Sequence, residues 1–158
     1  MGVILPHAAA TVTRAPPVLQ PGERLLLASL RGWAGARVAG EAPHAPIRAG
    51  LARATSPRTA ALFVALMDSL EAGCLRPLEI HRACCPGYST DEQRLVLACG
   101  ICPVADDIAA ALLRPLVADA APMLVLARSL NAALATDGFD LPVRLLDEVA
   151  EASTQTLH

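Results

Sequence analysis

Apolar residues recur at three- and four-residue intervals along most of the chain, the period of an amphipathic helix. Between Pro21 and about Arg37 the stripe is Leu26, Leu30, Trp33 and Ala34. A loop rich in proline and glycine follows, and a short helix is expected from about Ile47 to Ala54. The clearest element comes next. Ser56 is a natural N-cap, Pro57 suits the first helical position, and Gly73 ends the run. Leu62, Phe63, Leu66, Met67 and Leu70 make one apolar face between them.

Pro86-Gly87 then breaks the chain, and Ser89-Thr90-Asp91-Glu92-Gln93 offers a capping box as Ser89 with Glu92 or Thr90 with Gln93. That helix should stop near Cys99-Gly100. Another is expected from Pro103 to about Asp119, with Val104, Ile108, Ala111, Leu112 and Leu116 inward and a kink or split at Pro115. Two more should cover Pro122 to Thr136, closed by Gly138, and Asp140 to about Glu151. No segment alternates as a half-buried strand does, although Leu75–Arg82 suits a short extended piece. The expected fold is all-α, a compact bundle of five to seven short helices with little or no strand. Residues 1–20 read as a flexible proline-rich leader, 21–152 as a single helical domain and 153–158 as a disordered tail.

Composition refines this picture. Hydrophobic residues make up 54% of the 158 and aromatic ones 3%, so the core must be aliphatic. All thirteen basic residues are arginine, which points to a GC-rich genome such as a bacterium's, not to a binding signal. Net charge is −2, too near neutral to imply a nucleic-acid partner for the whole chain. The charge is uneven, however. Residues 1–60 carry seven arginines against Glu23 and Glu41, a balance of +5, and the remainder carries −7. Because Arg31, Arg37, Arg48, Arg53 and Arg58 are spread out, they read as solvated helix faces and loops. Neither a targeting segment nor an apolar run long enough to span a membrane is evident, so a soluble, cytoplasmic protein with no membrane partner is expected.

The chemistry is concentrated in one place, because all five cysteines lie between Cys74 and Cys102. One reading is a zinc site of His81, Cys84, Cys99 and Cys102, with Cys74 or Cys85 as substitutes for His81. The spacing His-x2-Cys, fourteen residues, Cys-x2-Cys approaches a paired zinc template. A second reading is a redox dithiol, with Cys102 activated at the start of the helix opened by Pro103. The plainest is that the cysteines only pack, since free cysteine is among the most buried residue types.

Nothing else resembles a catalytic constellation. Asp106-Asp107 and Asp147-Glu148 are adjacent acids that point around a helix, and Asp137-Gly-Phe-Asp140 is a turn, not a calcium loop. A helix-turn-helix at Ile47–Leu70 is the main DNA-binding option. Its second helix offers Arg58 and Thr59 and then a largely apolar run, too little for base readout. The function expected is therefore non-enzymatic: a small helical regulator or adaptor acting through protein–protein contacts. The apolar stripes at Leu62–Leu70 and at Leu126, Leu130 and Leu134 further suggest a homodimer or a complex with another protein.

Overall fold

The computed structural model describes residues 18–144, and residues 4–7 by their backbone. The elements follow in the order β1 (Ile4–His7), α1 (Pro21–Val38), α2 (His44–Ala54), α3 (Pro57–Gly73), β2 (Leu78–His81), α4 (Thr90–Ile101), α5 (Asp106–Leu113) and α6 (Ala121–Thr136). The all-α class is as expected, and strand among the described residues is confined to two four-residue pieces. Most helix starts are set locally. The Ser56 hydroxyl accepts from the Thr59 amide, and Pro57 supplies the fixed φ of a first helical turn. Of the two capping boxes on offer before α4, the structure forms the one between Ser89 and Glu92. No helix among the described residues is long and apolar enough to cross a membrane.

Helix α3 lies at the centre, packed against α2 and α6, while α4 packs against α5 and α6. Phe63, Met67 and Leu70 are at most 2% exposed, and they join Trp33 of α1, Ile101 of α4 and Leu130 of α6 in one core. Both stripes that suggested a dimer are thus largely consumed within the chain. Leu66, Leu70, Leu130 and Leu134 are buried, with Leu62 and Leu126 packed at the margin.

Four expectations about the elements need correction. The short helix before α3 begins at His44, three residues early, where His44 Nε2 meets Asp68 at 2.8 Å and its ring packs edge-on to Trp33. Pro103 does not open a helix. The Val104 and Ala105 amides both bond back to the Ile101 carbonyl, so the chain turns before α5 starts at Asp106. That delay shifts the buried face to Ala109 and Leu113 and leaves Val104 67% exposed. Pro115 does divide the segment. Beyond it, Leu116 and Ala118 exchange backbone bonds with Leu75 and Gly73 instead of extending α5.

Asp140 does not start a helix either: residues 141–144 carry no helical turn, and the rest of that expected helix, with the 153–158 tail, lies outside the described residues. Within the expected leader, Ile4–His7 pairs in parallel with Leu78–His81, in the register Ile4 to Leu78 and His7 to His81. Residues 1–3 and 8–17 of that leader also fall outside the described residues.

Two helical glycines explain how the chain closes after α6. At Gly22 an added Cβ would sit 2.5 Å from the Asp140 carbonyl oxygen and 2.6 Å from that of Phe139. At Gly100 it would sit 2.7 Å from the Pro142 oxygen. The segment after α6 therefore lies directly on the backbones of α1 and α4. Helix propensity alone would favour alanine by up to about 1 kcal/mol. Because the obstructing atoms are backbone, Gly22→Ala should instead destabilise by about 1–3 kcal/mol, as overpacking does. Urea denaturation measures it, and a raised midpoint would show that Phe139–Asp140 does not rest on α1.

Candidate functional site

The loop between β2 and α4, residues 82–89, carries Cys84 and Cys85, and a buried charge cluster fixes it. Arg31 projects from α1 and Glu92 from the first turn of α4, with side chains 6% and 0% exposed. Glu92 Oε1 accepts from Arg31 Nε at 2.8 Å and from the His81 amide at 3.0 Å. Its Oε2 accepts from Arg31 Nη2 at 3.0 Å and from the Ser89 amide at 2.8 Å. The guanidinium also donates to the carbonyls of Cys85, at 2.8 Å, and Gly87. The ion pair thus spans α1, β2, the loop and α4. Such a pair is tolerable when buried because nearly every lone pair and N–H is engaged.

His81 is 5% exposed, not a solvent-facing loop residue; its Nδ1 lies 3.1 Å from the Gly87 carbonyl and 3.7 Å from Glu92. Ser89 Oγ donates to the Glu79 carbonyl and accepts from the Glu92 amide. Next to Glu92 in the first turn of α4, Asp91 is 1% exposed and accepts a two-pronged contact from Arg76 at 2.8 and 2.7 Å, with the Glu79 amide at 2.9 Å. Burial alone would raise the Asp91 carboxyl, but the Arg76 and Glu79 donors outweigh it and hold it below its ordinary range. On the far side, Arg144 grips Glu23 with two contacts of 2.8 Å, and the Tyr88 phenol beside them is pushed up to about 12, chiefly by burial.

Arg31 is the largest departure from the sequence reading, which placed it on a solvated face. No local signal marks it. It lies sixty-one residues from Glu92, and only the packing of α1 on α4 joins them. Arg37 is also engaged, forking onto Glu71, which accepts from Trp33 Nε1 at 2.8 Å as well.

The cysteines are dispersed. Cys84 is exposed, Cys74 and Cys85 are half-buried, Cys99 and Cys102 are buried, and all five are free thiols. Cys99 faces Leu26, Leu30, Phe63 and Leu66 around a small apolar void, and burial pushes its thiol up to about 12. Cys102 closes α4 rather than opening α5, and its Sγ contacts the Cys99 carbonyl at 3.4 Å. Its thiol is pushed up to about 11 by burial, the opposite of the activation that a helix start would bring. Among the described residues, no three or more His, Cys, Asp or Glu side chains are grouped to hold a metal ion. His81, Cys84, Cys99 and Cys102 are accordingly not brought together as a four-ligand set.

A second surface stands out by its lack of internal partners. Of the eleven residues of α2 only Leu51 is buried. Ala45, Arg48, Ala49 and Ala52 line an open groove of about 460 Å³ with His44 and Pro57. Arg58 and Asp137 line a neighbouring hollow of about 260 Å³. Among the described residues, Arg48, Arg53 and Arg58 make no ion pair, as is also true of Arg24, Arg82 and Arg114, whereas Arg31, Arg37, Arg76, Arg94, Arg128 and Arg144 each do. The second helix of the helix-turn-helix reading, α3, turns most of its length into the core, and its exposed positions include Asp68. No protein-family model matches the chain, and no curated protein or solved structure matches it either.

Proposed function

We propose that this is a non-enzymatic helical protein that works by protein–protein contact, with the outer face of α2 and the first turn of α3 as its contact surface. The observation that carries this reading is the open groove at Ala45, Ala49 and Ala52, which Arg48 lines, with Arg58 lining the hollow beside it and neither arginine holding an ion pair among the described residues. Small side chains allow the backbone of a second helix to approach closely, and the unpaired arginines select an acidic one. The partner is therefore an acidic amphipathic helix of another protein. A second copy of this chain suits the face poorly, because a two-fold contact would set Arg48, Arg53 and Arg58 against their own counterparts. Nucleic acid is less favoured, since three scattered cations without aromatic neighbours give neither a phosphate track nor base readout.

The single tryptophan provides the readout, because Trp33 packs 4.8 Å from the ring of His44 at the edge of the groove. A designed helical peptide with glutamates flanking an apolar stripe should shift Trp33 emission and bind more weakly as salt rises. Arg48→Glu and Arg58→Glu should each weaken binding about tenfold, or 1.4 kcal/mol. Failure of the peptide to bind, or equal binding by both charge reversals, would remove this surface. Tighter binding of a DNA duplex than of the peptide would assign the face to nucleic acid instead.

A further inference from the structure

We propose that Cys84 and Cys85 together form a binding site for a soft monovalent cation of the copper(I) class, held by two thiolates on the anchored 82–89 loop. The two thiols are adjacent in sequence, and neither Sγ makes a hydrogen bond among the described residues, whereas Cys74 Sγ bonds to the Arg76 carbonyl and Cys102 Sγ to that of Cys99. Cys84 is exposed and Cys85 is half-buried, so an ion reaches them without unfolding the domain.

The loop beneath them is fixed from both sides. The Cys85 amide bonds to the Arg82 carbonyl at 3.0 Å and closes a tight turn. The Cys85 carbonyl is gripped by Arg31, which Glu92 holds inside the domain. The turn thus carries both cysteines on a backbone already in place, which lowers the ordering cost of binding.

The donor set selects the ion. Zinc requires four ligands, and no third His, Cys, Asp or Glu is grouped with this pair among the described residues. Soft thiolates favour copper(I), which two sulfurs suffice to hold. Binding converts two thiols and one Cu⁺ into a bis-thiolate complex of charge −1 with release of two protons. No electron is transferred. Arg82, exposed in the same turn and without an ion pair among the described residues, offsets the negative charge. The other thiols are poorly placed to compete, since Cys99 and Cys102 are buried with raised proton affinities.

The test is anaerobic titration of the reduced full-length protein with Cu⁺ against a chromogenic copper(I) chelator. One equivalent should be withheld from the chelator, with a thiolate-to-copper absorption band in the ultraviolet. Cys84→Ser and Cys85→Ser should each weaken binding by more than the roughly 10–100-fold that loss of a supporting partner costs. Cys74→Ser should bind as the parent does. Circular dichroism of each variant establishes that the helices remain. Absence of withheld copper, or binding that survives the Cys84→Ser/Cys85→Ser double variant, overturns the site. So does binding that is lost on Cys99→Ser in a protein that still folds.

Discussion

Glu92→Gln should destabilise the fold by about 3–5 kcal/mol, although the side chain keeps its size. The carboxylate accepts four hydrogen bonds: two from Arg31, one from the His81 amide and one from the Ser89 amide. An amide replaces one acceptor oxygen by an N–H2 group, so at least one buried donor faces another donor. Arg31, 8% exposed, would meanwhile keep its charge without a counter-ion. The desolvation of that charge dominates the loss, because the direct attraction lost is partly offset by relieving Glu92 of its own burial. The pair Arg31→Met with Glu92→Leu should recover only part of the stability. It removes both charges, but it also strips the partners from the His81 and Ser89 amides and from the Cys85 carbonyl, and leaves the Gly87 carbonyl with His81 Nδ1 alone. Urea denaturation of the two variants measures this. A shift below about 1 kcal/mol for Glu92→Gln would show that the cluster is hydrated and is not the anchor of the loop.

Leu66→Ala should cost about 2–5 kcal/mol. Leu66 is 4% exposed on the face of α3 that meets Leu26, Leu30, Leu95 and Val96. Removing three carbons there loses their transfer free energy and enlarges an apolar void that is already present beside Phe63 and Cys99. Helices α1 and α4 border that void, and the Arg31–Glu92 cluster ties them together, so the site has little freedom to collapse. The value should therefore fall toward the upper half of the range. Coincident denaturant midpoints for variant and parent would mean that this face is not buried in a single chain. In that case the stripe would regain its standing as an interface.

Most of the helices are legible from the residues because their determinants are local. Ser56 with Pro57, Ser89 with Glu92, and the three-to-four periodicity of Leu62–Leu70 act within a few residues of one another, and each element starts where those signals place it. Where a signal depended on what the helix packs against, the reading slipped. Pro103 suits a first helical turn, yet the chain turns back at Ile101 and α5 begins at Asp106, with its buried face rotated accordingly. Gly22 and Gly100 look like weak points in helices until the 139–142 segment is seen lying on them.

The candidate sites divide in the same way. Cys84-Cys85 and the paucity of catalytic motifs are visible in the residues themselves. That Arg31 is inside and Arg48 outside is not, since both are arginines on helices with similar neighbours. A charge is buried only where several elements together supply enough donors and acceptors to replace water. For Arg31 those groups come from the 82–89 loop and α4, fifty-four to sixty-one residues further along the chain. Local order therefore settled which segments are helical, whereas the docking of α1 on α4 decided which charges are structural and which are left to meet a partner.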